Sequence, residues 1–339
     1  MKYLKQILIS VTIIIVLSIS VIFIVISNKF NYSPKLLLST LISANKQSKQ
    51  IGEDINIIFL GIDRRDDWLE KNQDTDTIIL VHIDTNTLDT KLIPLPRDIW
   101  NQSTSTRINK IYQLSQEQSD PYNFIKDSFQ HIVGQKINHI VILDTQILIP
   151  IIKSIGPIEV NLDYDLVDDQ YPNPDYINDP QNNPNPYITV NFPKGTNIID
   201  SDNVLYFVRS RKGTDSTETG GTDIGRSSRQ QLLVESILDK IKQQKLYFNI
   251  GTILSLYNIW SQQIEKDIDD QTILSILFKN KLNLTNFNIS SSSLPIGISS
   301  KDKQAIIYHP TSFKNGAWVY LPLTSDYSSI HHFVDQQLN

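Results

Sequence analysis

INIIFLGID (55–63), DTIILVHID (76–84) and TKLIPLP (90–96) are three apolar, β-branched runs bounded by Gly, Asp, Asn and Pro, the composition of buried strands. Only TNTLD (85–89) lies between the second and the third, so these two are expected to form a hairpin. Further along, YNFIKDSFQHIVG (122–134) spaces its apolar residues as a helix does and stops at Gly134, which suits a left-handed C-cap. HIVILDT (139–145) reads as a strand, TQILIPIIKSIG (145–156) as a short helix ending at Gly156, and PIEVNL (157–162) as a strand again. Strands alternating with helices predict a layered α/β domain.

Residues 170–193 hold six of the fifteen prolines and six asparagines, a composition unsuited to a helix or a central strand and expected to form a long surface excursion. Beyond it, SDNVLYFVRSRK (201–212) is expected to be helical, with Ser201 or Asp202 as N-cap, followed by a Gly/Thr-rich loop at 213–222. The next expected helix, Asp223 to Lys245, carries an apolar stripe of Leu232, Leu233, Ile237, Leu238 and Ile241. The last ninety residues hold two helical patterns near 252–265 and 270–281, then strand-like pieces at 304–308 and 317–322. No internal repeat and no coiled-coil heptad is visible.

The amino-terminal segment sets the compartment. ILISVTIIIVLSISVIFIVIS (7–27) is 21 positions without a charge, long enough to cross the hydrocarbon of a bilayer as a helix. Lys2 and Lys5 precede it, so the positive-inside rule keeps the short tail in the cytoplasm and exports the rest. A cleaved signal peptide is the competing reading. It is disfavoured by the length of the apolar run and by the absence of a small-residue cleavage site, Ala44 being the only alanine before residue 305. The expected location is the cytoplasmic membrane, single-pass, with the bulk extracytoplasmic.

Composition excludes several functions. Of 339 residues, 31 are basic and 36 acidic, and none is Cys. Residues 1–29 contribute three lysines and no acid, so the remainder has 28 basic against 36 acidic side chains, a net of −8. An acidic remainder argues against nucleic acid as a partner. Without Cys there is no disulfide, thiolate nucleophile, or Cys-ligated zinc or iron–sulfur centre. No G-x-S-x-G elbow, Walker A loop or G-x-G-x-x-G sequence occurs, and the six histidines show no metal-binding spacing.

Arginine is the informative residue. The chain has only eight, Arg64, Arg65, Arg97, Arg107, Arg209, Arg211, Arg226 and Arg229, against 23 lysines. A chain that solvates with Lys but reserves Arg for two windows points to the bidentate fork that binds phosphate or carboxylate oxygens. Arg226 and Arg229, three apart near a helix start, face one side, where helix amino-terminal NH groups also attract an anion. The alternative is a set of salt bridges among the excess acids. Asp63 ends one strand and Asp76 begins another. If these strands are adjacent, both carboxylates sit at one sheet edge, where Mg²⁺ shared with phosphate oxygens would fit. Asp at a strand end also serves as a turn or cap residue.

In this order the residues resemble the LytR–CpsA–Psr family of cell-wall glycopolymer transferases. The resemblance is carried by Gly61, Asp63 and Arg65 (G-x-D-x-R), by Asp76, Thr77 and Ile78, by Pro96, Arg97 and Asp98, and by Ile108, Asn109 and Tyr112. Its second half matches Tyr206, Val208, Arg209, Ser210 and Arg211, then Asp223, Gly225, Arg226, Arg229, Gln230 and Gln231. The resemblance implies a three-layer α/β/α domain with a mixed central sheet at residues 55–245, behind a cytoplasmic tail and anchor (1–29) and a juxtamembrane connector (30–54). Residues 246–339 lie outside the signature, as a carboxy-terminal extension of unassigned role. It further implies transfer of a glycosyl phosphate from a polyprenyl-pyrophosphate-linked glycan to a peptidoglycan hydroxyl, next to membrane lipid. The implied cofactor is Mg²⁺, held by Asp63 and Asp76. Pyrophosphate would be bound by Arg65, Arg97, Arg107, Arg209, Arg211, Arg226, Arg229 and Gln230, with Arg97, Asp98 and Arg226 in the catalytic role. Many family members carry a basic residue where this chain has Asp74. A carboxylate there would either tighten the metal or weaken the anion site, and a non-catalytic lipid-binding protein or a pyrophosphatase of the same fold is the alternative.

Overall fold

The computed structural model describes residues 34–52, 54–63, 74–210, 223–246, 249–279, 288–302 and 304–338. In chain order its strands are β1 (Asp54–Ile62), β2 (Thr75–Asp84), β3 (Thr90–Pro94), β4 (Trp100–Asn101), β5 (Thr106–Arg107), β6 (His139–Asp144) and β7 (Ile158–Leu162). They are followed by β8 (Leu166–Pro172), β9 (Tyr187–Phe192), β10 (Gly195–Ile199), β11 (Glu265–Lys266), β12 (Ile289–Ser291), β13 (Ile296–Gly297), β14 (Ile307–Tyr308) and β15 (Leu321–Pro322). The chain divides into two compact units.

The larger unit is built on a six-stranded mixed sheet in the order β11-β6-β1-β2-β3-β12. β1 and β6 run parallel, β2 and β3 antiparallel, and β12 parallel to β3. The period-two pattern of the runs sends Ile58, Leu60, Ile62, Ile78, Leu80, Ile93, Ile140 and Ile142 into one core. There they meet Ile125, Phe129 and Ile132 of helix Pro121–Val133 and Ile330, Phe333 and Val334 of helix Ser328–Leu338. Helix Pro121–Val133 starts where the Asp120 carboxylate accepts the Asn123 amide at 3.1 Å and ends at Gly134 with φ 74°, the start and stop that its sequence encodes. A second core gathers Ile158, Val160 and Leu162 of β7, Val190 and Phe192 of β9, Val204, Phe207 and Val208 of helix Val204–Arg209, and Leu233 of helix Asp223–Gln243.

Three expectations change. Residues 170–193 are ordered as the two-stranded β8–β9 ribbon with a short helix Pro174–Asn178 between them. Asn173 caps that helix through the Asp175 amide at 3.0 Å and Pro174 occupies its first turn, where a missing N–H costs nothing. Second, the segment after residue 245 supplies both edge strands of the central sheet, β11 and β12, and a helix of its core. β11 is held by Asp267, whose carboxylate accepts the Ile140 amide and the Lys126 ammonium, both at 2.7 Å, and by Glu265, which accepts the Tyr112 hydroxyl at 2.9 Å. Third, the expected helix 201–212 is shortened to Val204–Arg209 within the described residues.

The smaller unit contains helix Pro34–Gln47, the Asp84–Asp89 turn and helix Asp270–Lys279. The two helices pack together, Gln271 Nε2 donating to Gln47 Oε1 at 2.7 Å, and Lys279 Nζ reaches Thr85 Oγ1 at 2.7 Å. Part of the expected connector is therefore helical. The apolar run 7–27 lies outside the described residues, among which no helix is long and apolar enough to cross a membrane.

Candidate functional site

Because β1 and β6 are parallel, Asp63 and Thr145 follow their carboxyl ends on the same edge of the sheet, the edge at which open α/β sheets bind ligands. Gly61 lets β2 approach closely there: a Cβ at this position would lie 2.9 Å from the Thr77 Cβ. The edge opens into a cavity lined by Gly61, Ile62, Asp63, Asp76, Thr77, Thr145, Val208, Arg209, Arg226 and Gln230.

Charges close this cavity. Arg209 Nη2 lies 2.6 Å from Asp63 Oδ1, and the Thr145 hydroxyl donates to the same oxygen at 3.0 Å. Asp76 is gripped from both sides. Arg97 Nη1 donates to its Oδ1 and Arg226 Nη1 to its Oδ2 at 3.4 Å. Arg226 is only 2 % exposed and stands in the first turn of a 21-residue helix, so the helix amino terminus adds to its positive field. Three guanidiniums thus face two carboxylates around a cavity of about 20 Å³, room for one water-sized group.

Neutral groups brace the charged ones. Thr77 Oγ1 donates to Gln230 Oε1 at 2.7 Å, and Gln230 Nε2 donates to the Val208 carbonyl at 3.4 Å. Behind the first ring of contacts, Asp98 Oδ1 accepts Arg107 Nη1 at 2.8 Å while its Oδ2 lies 3.6 Å from Arg97 Nε.

The structure sorts the residues singled out from sequence. Asp63, Asp76, Arg209, Arg226 and Gln230 meet at the cavity, and Arg97 joins them through Asp76. Arg107 and Asp98 form a pair beside Arg97 and are not among the lining residues. Arg229 turns elsewhere: 1 % exposed, it donates through Nε to the Phe207 carbonyl at 3.2 Å and through Nη2 to the Ser210 carbonyl. Its fork ties helix Asp223–Gln243 to the end of helix Val204–Arg209, a role that its i, i+3 spacing from Arg226 does not reveal. Arg65 and Arg211 lie outside the described residues. Asp74 is engaged by Lys110 at 2.5 Å and by Asn109 at 3.5 Å and does not line the cavity. Thr145, which sequence reading passed over as a strand end, is a lining residue, and nothing in its local sequence marks it as one.

As to a metal, the two lining carboxylates offer hard oxygen donors beside the arginines, the number Mg²⁺ takes when substrate phosphates complete its shell. Among the described residues no cluster of three or more His, Cys, Asp or Glu could hold a metal by itself. The donor set fits a metal shared with a phosphate ligand and does not fit an all-protein cage.

Comparison with known proteins follows this geometry. The model of the LytR_cpsA_psr family matches residues 29–331. The chain is 24% identical over 207 residues to the Enterococcus faecalis polyisoprenyl-teichoic acid–peptidoglycan teichoic acid transferase TagU, a match covering 60% of this chain and 59% of that protein. The chain thus spans under two thirds of that relative's length. The crystal structure of B. subtilis TagV superposes with a TM-score of 0.56 at 19% identity, covering 85% of this chain and 98% of that one. A structure of TagT bound to LI-WTA gives 0.52 at 14% identity, covering 84% and 91%. At these identities the likeness is one of fold, a mixed α/β architecture with a central mixed sheet.

Proposed function

The chain belongs to the LytR_cpsA_psr family, and from that premise we propose that it is a glycopolymer transferase, moving a glycosyl phosphate from a polyprenyl-pyrophosphate carrier to a hydroxyl of peptidoglycan. The observation that carries the reading is Asp76 held between Arg97 and Arg226, with Arg209 on Asp63 across the same cavity. The relative TagU is named for transferring teichoic acid to peptidoglycan, and TagT is described as bound to a wall teichoic acid ligand. Both support a carrier-linked polyanionic glycan as the donor.

In this reading Arg97, Arg209 and Arg226 exchange their aspartate partners for pyrophosphate oxygens. That exchange opens the small cavity and leaves Asp63 and Asp76 as the residues that would hold Mg²⁺. The metal would supply further neutralisation of the phosphate charge. An acceptor oxygen forms a bond to the sugar-linked phosphorus, the bridging P–O bond breaks, polyprenyl phosphate leaves, and the hydroxyl proton passes to solvent. Thr145 fixes Asp63, and Thr77 with Gln230 fixes the helix that carries Arg226, so the donors are aimed before the substrate arrives. Asp98 positions Arg97 and Arg107 rather than touching substrate. The apolar run at 7–27 anchors the protein in the cytoplasmic membrane within reach of the carrier, with a three-layer α/β/α domain outside it.

Asp74, whose carboxylate could have favoured a non-catalytic lipid-binding protein, is neutralised by Lys110. The test incubates the purified full-length protein with a polyprenyl-pyrophosphate-linked glycan and peptidoglycan fragments, with Mg²⁺ and with a chelator. Magnesium-dependent release of polyprenyl phosphate with glycan attached to the fragment is the expected result. Release without attachment would mark a pyrophosphatase, and carrier binding without release a binding protein.

A further inference from the structure

The segment after residue 245 contains a row of aromatic side chains beside the turn that carries Asp98. β14 and β15 pair antiparallel with Tyr308 opposite Leu321, which brings His309 level with Tyr320. The His309 and Trp318 ring centroids are 4.4 Å apart and those of Trp318 and Tyr320 are 4.6 Å apart, both in edge-on contact. The backbone of Tyr320 is bonded to the turn that carries the site, its amide donating to the Asp98 carbonyl and its carbonyl accepting the Trp100 amide, each at 2.9 Å. Burial first, and then the Asp98 charge, raise the Tyr320 phenol pKa, so the inner end of the row lies within the field of the carboxylate that positions Arg97. At the outer end, the Lys314–Ala317 turn, with Asn315 and Gly316 at φ 49° and 75°, exposes Phe313 by 67 % and sets Lys314 Nζ 4.8 Å above the Trp100 ring. Trp318 and His309 are partly exposed, whereas Tyr320 is buried in the core against which Trp318 packs, and His309 Nδ1 is itself buried without a hydrogen-bond partner among the described residues.

We propose that Trp318, backed by His309 and the buried Tyr320, forms with Phe313 and Lys314 the subsite that holds the saccharide of the acceptor. A sugar ring has an apolar C–H face and a rim of hydroxyls. The exposed surfaces of Trp318 and Phe313 beside the Lys314 ammonium offer both complements in one strip. Position selects the acceptor over the donor. An attacking hydroxyl must reach the phosphorus beside Arg97 and Arg226, and the row starts at Asp98, the residue behind Arg97. The inference rests on the transferase reading for the identity of the saccharide.

The experiment is calorimetric titration of the full-length protein with a soluble disaccharide–peptide fragment of peptidoglycan and, separately, with polyprenyl pyrophosphate. Trp318→Ala is expected to weaken the fragment by about tenfold and to raise its KM, with carrier affinity held within about twofold. Trp318→Phe recovers most of the loss, and Phe313→Ser, at an exposed position that leaves folding intact, gives a smaller loss of the same kind. Fragment affinity unchanged in Trp318→Ala and Phe313→Ser overturns the proposal, as does equal loss of fragment and carrier in both. So does vesicle binding that depends on Phe313 while the fragment is ignored. A wild-type protein that binds carrier and no fragment refutes the subsite and leaves the donor reading standing. One that binds fragment through Trp318 and no carrier does the reverse.

Discussion

The Thr77 hydroxyl donates to the Gln230 side-chain oxygen at 2.7 Å, across 153 positions of sequence. This bond joins β2, which carries Asp76, to the helix that carries Arg226, and so sets the distance between the two. Thr77→Val keeps the shape and removes the donor. It is expected to cost about 1 kcal/mol of stability and to lower transfer about tenfold, while Thr77→Ser restores both. Thermal unfolding and initial rates on the three proteins check this. Equal rates in Thr77→Val and wild type would remove Gln230 from the positioning scheme.

Asp76 carries two guanidiniums on its two oxygens. Asp76→Asn keeps the size and removes the charge that both answer. A loss of transfer of about 100-fold or more is expected, together with loss of Mg²⁺ dependence in whatever rate remains. Retained magnesium activation in Asp76→Asn would place the metal elsewhere.

Arg209 and Arg229 separate binding from folding. Arg229, buried against the Phe207 and Ser210 carbonyls, is expected to lose about 2 to 4 kcal/mol of stability on replacement by Ala, and Lys should not rescue it because the planar fork is what spans the two carbonyls. Arg209→Ala, at the cavity, should lower the urea midpoint less than Arg229→Ala does and weaken pyrophosphate binding. Identical behaviour of the two variants in both assays would contradict the sorting.

Asp267 gives stability an acid dependence. Burial opposes its ionisation, but the nearby His139 ring, hydrogen bonds from Lys126 and the Ile140 amide, and the Lys126 charge outweigh burial and lower its pKa to about 2. Because the folded value lies below the unfolded one, its contribution is complete above roughly pH 4 and is lost as pH falls towards 2. Asp267→Asn is therefore expected to be less stable than wild type at pH 6, by about 1 to 2 kcal/mol, with the difference shrinking at pH 3 and below. Urea unfolding at a series of pH values reads this directly. A gap that widens on acidification would reverse the assignment.

How much of this was legible before folding follows from the range of each signal. The β1, β2, β3 and β6 runs announce themselves because they are apolar, β-branched and bounded by turn residues, as buried strands are, and helix Pro121–Val133 because its caps lie within one turn of its ends. The clustering of arginine likewise marked residues that gather at one place, where Arg97, Arg209 and Arg226 face Asp76 and Asp63. Two short edge strands, β11 and β12, were not legible as parts of the central sheet: two and three residues hold too little pattern, and their partners lie more than a hundred residues upstream.

Within the site the division is the same. Sequence by itself determined which side chains were available: Asp63, Asp76 and a reserved set of arginines at the ends of strands and helices. Only tertiary structure decided that Arg226 faces Asp76 while Arg229 turns to the carbonyls of Phe207 and Ser210, and that Thr145 lines the cavity. The physical reason is that residue type and local period fix a side chain's chemistry and the face it leaves from. The partner it meets depends on how elements far apart in the chain pack, and no local pattern encodes that.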